Sequence, residues 1–325
     1  MRRREFVKTI AATAIAWPPA ARAAGSRPRI GVLDISSAEY QATNFAAFRD
    51  GLQRLGYVES KTVDIDYRFS EGSTAALAGL AQELVQFKPD VVLATAISPT
   101  RAIKRIAPKL PIVCPAFGES FIPELAASFA HPGGSVTGVA SNVEGLPGKL
   151  TELIVDALPD TTKIGILANP SGASTANYEQ QIQSAAKAHG IEVEIEEVRK
   201  ADDFDGAFQR FNEQKAQAVI VPGNGLLNAG QKRITALAMA SRLPLIYASP
   251  ENVAAGGFAS YGVDIPDNYR RTAIYIDKIL KGGAPGDLPI EFPTKLLLVI
   301  NLKTAKTLGI AVPPSLLNRA DELIE

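Results

Sequence analysis

Apolar positions in this chain follow two rhythms that take turns. Phe45, Phe48, Leu52 and Leu55 recur at three- and four-residue spacing and are stopped by Gly56, which predicts an amphipathic helix. Val63, Ile65, Tyr67 and Phe69 then alternate with polar residues, the pattern of a half-buried, edge-like strand. Leu77, Leu80, Leu84 and Phe87 mark a second helix face, and residues 91–94 are wholly apolar, as in a central parallel strand covered on both sides. The second half repeats the scheme. It predicts a helix over about 175–187, a strand over 192–198 and a helix marked by Phe204, Phe208 and Phe211. A strand over 218–221, a helix through Ile234 and Leu237 and a strand over 245–247 follow. Strands and helices alternating this way form doubly wound parallel sheets with right-handed crossovers.

The two halves share wording as well as rhythm. Ile30-Gly31-Val32-Leu33-Asp34 answers to Ile164-Gly165-Ile166-Leu167-Ala168-Asn169, and Leu110-Pro111-Ile112-Val113 answers to Leu243-Pro244-Leu245-Ile246. Two copies on one chain predict two α/β lobes with a cleft between them. Three segments fall outside the repeat: Val136 to Val139, Phe258 to Val263 and Pro293 to Asn301. They read as strands or strand ends that cross between lobes, near Thr137, Tyr261 and Pro293, as three hinge connections. The expected N-terminal lobe is 28–138 plus about 264–292, and the C-terminal lobe is 139–263 plus about 293–325.

The first 23 residues differ in kind. Arg2-Arg3-Arg4 precedes an apolar stretch from Thr9 to Trp17, and Ala21-Arg22-Ala23 supplies a small-x-small cleavage site. This is the layout of a cleaved export signal, and Arg3-Arg4-x-Phe6-Val7-Lys8 resembles a twin-arginine signal. Its removal takes five Lys/Arg and one Glu from balanced totals of 34, leaving 29 basic and 33 acidic residues. Such mild acidity argues against a nucleic-acid partner. No apolar run of the sequence is long enough to span a bilayer. Cys114, the single cysteine, has no internal disulfide partner and sits in an apolar run, the setting of a buried small hydrophobe.

In open parallel sheets ligands bind outside the carboxyl ends of the strands. Here those ends fall at 34–37, 70–72, 95–98 and 117–120, and at 169–174, 199–201, 223–225 and 249–252. Their hydroxyls, amides and glycines suit a polar small molecule, and several open helices, where free N–H groups attract a carboxylate. Candidate ligand-binding residues are Ser36, Tyr40, Thr95, Ser98, Gly118, Glu119, Asn169, Ser174, Asn224, Glu251 and Tyr261. Ser98 and Ser174 serve equally well as helix caps, with Pro99 then at the first helical position. Glu119 and Glu251 occupy equivalent places in the two copies and suit a ligand ammonium or a solvated rim. Tyr40 and Tyr261 suit stacking on an apolar body or core packing.

Catalytic parts are sparse. Neither His131 nor His189 lies at a predicted strand end. The sequence contains no Gly-x-Ser-x-Gly elbow, phosphate loop or metal-spaced Cys/His cluster, so no metal or cofactor is expected.

The C-terminal run Pro293-Thr294-Lys295 through Asn301-Leu302-Lys303 to Pro313-Pro314-Ser315-Leu316-Leu317 carries a family likeness. So do Ala130-His131-Pro132-Gly133-Gly134, Ser260-Tyr261-Gly262 and Tyr269-Arg270-Arg271. These runs resemble the solute-binding components of ABC uptake systems, in the subgroup named for tryptophan/tyrosine transport. The resemblance covers essentially the whole mature chain. It implies a type I periplasmic-binding fold whose lobes close on a small ligand and hand it to an inner-membrane permease. Two loops depart from the family pattern: Ile97-Ser98-Pro99 stands where relatives have Gly-Thr-Pro, and Gly118-Glu119-Ser120 where many have Gly-Asp-Pro. The expectation is a monomeric, periplasmic, non-catalytic binder of an amino acid, and the family name points to an aromatic one. A two-lobed cleft enzyme (a hydrolase or racemase) and a sensory ligand-binding module are the alternatives.

Overall fold

The computed structural model describes residues 27–118, 122–141, 143, 145–170 and 175–325. The predicted export signal, Glu119 and Ser174 lie outside these residues. Two sheets carry the fold, and both are wound in the same order. The first half supplies β1 (Arg29–Asp34), α1 (Ala42–Arg54), β2 (Asp64–Phe69), α2 (Leu77–Gln86), β3 (Val91–Ala94), α3 (Ile97–Ile106), β4 (Ile112–Phe117), α4 (Ile122–Leu125) and β5 (Val136–Ala140). Its sheet runs β2-β1-β3-β4-β5, all parallel.

The second half supplies α5 (Leu146–Ala157), β6 (Lys163–Ala168), α6 (Thr175–Ala188), β7 (Glu192–Glu197), α7 (Asp203–Glu213), β8 (Ala218–Val221), α8 (Gly225–Ala229), α9 (Gln231–Ala240), β9 (Leu245–Tyr247), α10 (Glu251–Ala254) and β10 (Ala259–Val263). Strand order β7-β6-β8-β9-β10 repeats that of the first sheet. The chain is therefore α/β, with two doubly wound lobes.

Burial follows the sequence pattern. Strand β3 and strand β8 are buried at every position, as central strands must be, whereas β2 at the edge is only partly buried throughout. Phe204, Phe208 and Phe211 of α7 are buried together against Leu167, Val219 and Val221. Removing one such ring from water is worth roughly 1.5–3 kcal/mol. Cys114 is fully buried, and burial pushes its thiol up to about 12.

The segments around Gly138 and Gly262, expected outside the repeat, form strands in equivalent places of the two sheets. Gly138 on β5 lies so close to β4 that a Cβ there would stand 1.9 Å from the Cys114 carbonyl oxygen. Gly262 on β10 meets the Ala248 carbonyl in the same way, at 1.7 Å. Only glycine lets the backbones approach this far.

Three elements follow the second copy. Helix α11 (Ile265–Leu280) returns to the first sheet, where Tyr269, Ala273 and Ile276 share a core with Phe45, Phe48 and Leu52. Strand β11 (Leu296–Asn301) pairs with β10, and β12 (Glu322–Ile324) pairs parallel with β11. Helices α12 (Leu302–Leu308) and α13 (Pro314–Leu317) lie between them. The β10–β11 pair is antiparallel, so the second sheet is mixed, a feature that the alternation of elements does not encode. Thr137 sits inside β5, where its hydroxyl donates to the Leu288 carbonyl at 2.7 Å, and Tyr261 sits inside β10. The chain passes from the first sheet to the second after β5, and between the sheets again at Asp264 and at 291–295.

Candidate functional site

The carboxyl ends of β1 and β9 open onto one pocket of about 990 Å³. Ser37, Tyr40 and Thr43 line it from the first lobe, and Gln231, Lys232 and Glu251 from the second. Asp264, Lys295 and Asp321 also border it. The lobes touch at this rim. Lys232 on α9 donates to Glu39 across the gap at 3.0 Å, and Gly225 at the head of α8 faces Ile35. Both partners of the Lys232–Glu39 pair are more than four-fifths exposed, so the pair is a weak contact.

Beneath Tyr40, the end of β1 is built around Asp34. This carboxylate is fully buried, and its Oδ1 accepts the Ser36 N–H at 2.5 Å. Burial pushes the Asp34 carboxyl up to about 6, against the pull of Ser36, Thr95 and Gln41. The Thr95 hydroxyl is near enough to favour the charge but has no partner in good bonding geometry, and the same holds for Asp34 Oδ2.

Glu251 begins α10 on the opposite lobe. Its Oε1 is sealed from solvent with no hydrogen-bond partner, although the residue as a whole is only partly buried. Burial raises this carboxyl to about 7; the fixed negative charge of Asp264 adds to the shift, and Glu251's own backbone N–H opposes it. Tyr40 stands in the field of both carboxylates. Its hydroxyl is held well above the usual phenol range, first by burial and then by the fields of Glu251, Asp34 and Tyr247.

Of the residues singled out in the sequence, Tyr40 and Glu251 therefore meet in the pocket, while Ser36 and Thr95 gather around Asp34 behind Tyr40. Asn224 caps α8, its Oδ1 accepting the Leu227 N–H at 3.0 Å. Asn169 is buried at the end of β6, and Gly118 is partly buried at the end of β4. Tyr261 lies opposite Leu298 and packs against the second lobe's core, outside the pocket lining. Glu119 and Ser174 fall outside the described residues.

Ser98 corrects an expectation. Helix α3 starts one residue before it, at Ile97, with Ala96 in the N-cap position and no side-chain cap. Ser98 is therefore a partly buried first-turn residue beside the free N–H groups, and Pro99 is not the first helical residue. The helix starts earlier because Ala96 supplies the extended backbone that an N-cap position needs, without using a side chain. His131 and His189 are both exposed and remote from the pocket lining.

The sequence reading missed Gln231, which lines the pocket; it sits in a helix of ordinary polarity and so carried no local signal. Among the described residues no cluster of His, Cys, Asp and Glu is arranged to hold a metal, and no helix is long and apolar enough to cross a membrane.

Residues 29–324 match the family model described as ABC transporter substrate binding protein. The chain belongs to that family. ABC substrate-binding proteins are the solute-capturing components of transport systems, working in the periplasm or outside the cell; they are binders and not enzymes. Two solved structures share 27% identity with this binding protein over 92% of it and all of their own length, each with a TM-score of 0.84. One is a conserved domain protein from Vibrio cholerae, and the other is an ABC domain from Streptococcus pneumonia in complex with L-Trp. A tyrosine-binding protein of Clostridioides difficile (strain R20291) is 23% identical over 262 residues, covering 80% of this chain and 75% of its own.

Proposed function

We propose that this binding protein captures an α-amino acid with an apolar or aromatic side chain between its lobes and delivers it to an inner-membrane ABC permease. The observation that carries this reading is Glu251: a buried carboxylate oxygen with no partner, on the wall of an interlobe pocket. An unpaired buried acceptor is costly, and a ligand ammonium removes that cost by a charge-assisted hydrogen bond. For the ligand carboxylate the sequence offers Ser98 in the first turn of α3, which lies outside the pocket lining. Tyr40 offers a ring face to the ligand body. The L-Trp complex and the tyrosine-binding relative support this ligand class.

A thermal-shift screen with L-tryptophan, L-tyrosine, L-phenylalanine and L-leucine tests the reading. At a hundred times Kd a ligand adds about 2.7 kcal/mol of stability. Stabilisation by indole-3-propionate, which lacks the amine, with none by any amino acid would overturn it.

The lobes, 28–138 plus about 264–292 and 139–263 plus about 293–325, close by hinging at the three crossovers. The contact between Lys232 and Glu39 belongs to the closed form. Scattering that gives the same radius of gyration with and without saturating ligand rejects the hinge. Residues 1–23 direct export to the periplasm, where the protein works as a monomer. Their deletion is expected to leave the protein in the cytoplasmic fraction.

A further inference from the structure

Where helix α9 starts, the pocket wall carries an amide with nothing to bond. Gln231 is the first residue of α9 and lines the pocket, yet it is only 9% exposed and its Nε2 has no hydrogen-bond partner. Gly230 before it lies against the Phe204 ring with no room for a Cβ, which seats the start of the helix on the second lobe's core. A buried amide donor left unpaired costs free energy, and the groups around Gln231 show what would offset it. A helix start ordinarily attracts acidic side chains, because its N–H groups leave a partial positive charge there. The first turn of α9 has none and carries Lys232 and Arg233 instead. Arg233 pairs with Asp205 of α7, neither of them in the lining, whereas Lys232 lines the pocket and reaches Glu39 at its rim. This wall is therefore rich in donors and polarised to receive an anion. Glu251, on the same lobe and in the same lining, offers the opposite: an acceptor oxygen without a partner.

We infer that Gln231 is a specificity-determining residue: its carboxamide donates to the carboxylate of the bound amino acid while Glu251 accepts from the ammonium. The inference rests on the amino-acid reading above and supplies its carboxylate side, which Ser98, outside the lining, leaves open. A carboxamide has two N–H donors and no charge. It therefore receives a carboxylate without burying a second ion of its own, while the start of α9 and Lys232 supply the favourable field. An amine with the same side chain but no carboxylate keeps its bond to Glu251 and leaves the Gln231 amide unpaired in the closed pocket. Sites built to hydrogen-bond a ligand group discriminate against analogues that lack it, because the buried partner then goes without. The site therefore selects free amino acids against the corresponding amines.

The test is calorimetric titration of the mature protein, of Gln231→Leu and of Gln231→Glu. The probes are whichever of L-tryptophan, L-tyrosine, L-phenylalanine and L-leucine binds tightest, and the amine that lacks its carboxylate (tryptamine for L-tryptophan). The natural protein is expected to prefer the amino acid at least about tenfold. Gln231→Leu is expected to lose about tenfold for the amino acid and to keep its affinity for the amine within about twofold. Gln231→Glu keeps the shape but sets a carboxylate against a carboxylate, so the preference should turn toward the amine. Where the amine is too weak to titrate against the natural protein, its measurable binding to Gln231→Glu is the supporting result, and no gain there overturns the inference. The melting temperature of ligand-free Gln231→Leu should be unchanged or raised, because only an unpartnered amide is removed. A lowered melting temperature with the preference intact marks Gln231 as structural and overturns the inference. Equal losses for amino acid and amine also overturn it while leaving amino-acid capture intact. If none of the four amino acids binds the natural protein, it is amino-acid capture that fails, and the role of Gln231 fails with it.

Discussion

Asp34 and Glu251 stand on opposite lobes at the ends of corresponding sheets, and their surroundings divide the work between them. Asp34 is tied into its own lobe: Oδ1 holds the Ser36 N–H, and Thr95 and Gln41 crowd around it. Its negative charge shapes the β1–α1 loop that presents Tyr40. Glu251, a pocket-lining residue, has only its own backbone N–H to favour its charge, and its buried Oε1 has no partner. Each carboxylate keeps one oxygen without a partner, but Asp34 commits Oδ1 to its own lobe and lies outside the pocket lining, whereas Glu251 is a lining residue. Burial raises both carboxyls, to about 6 and about 7, and the higher value goes with the poorer supply of donors.

Glu251→Gln breaks the comparison most directly. Charged hydrogen bonds contribute roughly 1.5–3 kcal/mol, so affinity for an amino acid should fall about 100-fold by calorimetry. The ligand-free variant should melt higher than the natural protein at pH 8, since a carboxylate ionised against its environment is gone. An unchanged affinity assigns the ammonium elsewhere.

The next effect is in pH. An ammonium ligand needs ionised Glu251, whose carboxyl titrates at about 7 in the empty protein. Affinity should therefore weaken about tenfold per pH unit below 7 and level off above it, with proton uptake on release. In Glu251→Gln this slope should vanish. Stability of the empty protein runs the same way in protons but opposite in consequence. Both carboxyls bind protons more tightly folded than unfolded, so between about pH 4 and 7 the folded state holds the extra protons. Stability falls as pH rises through that window and is flat above it, by an amount of order 1–3 kcal/mol per group. Chemical denaturation at pH 4.5, 6 and 8 measures it, and a rise in stability over that range contradicts the assignment.

Asp34→Asn sharpens the contrast from the other side. The amide oxygen still accepts the Ser36 N–H, so affinity should change less than about threefold, while the lower part of the stability fall, up to pH 6, disappears. Lys232→Ala is expected to do least. It removes an exposed pair across the rim, and affinity should shift less than about twofold, with the difference abolished by added salt.

The sequence by itself determined what short-range chemistry controls. The repeated alternation of wholly apolar and alternating segments imposed two sheets of equal winding, because side-chain period and burial on two faces leave no other stable arrangement. The apolar setting of Cys114 was legible for the same reason, whereas the equivalence of the strands carrying Gly138 and Gly262 was not, since both segments read as lying outside the repeat. The positions of Tyr40 and Glu251 beyond strand ends made them candidates, since parallel sheets put ligands there. Tertiary structure decided the rest. That β11 runs antiparallel to β10 depends on where α11 docks, against α1 of the other lobe, a contact between residues more than two hundred positions apart. That Tyr261 packs into the core while Tyr40 and Glu251 line the pocket depends on how each loop and strand faces the cleft. And that Asp34 holds the Ser36 N–H inside its own lobe while Glu251 lines the pocket depends on which groups the fold brings within 3 Å, a distance that no spacing along the chain encodes.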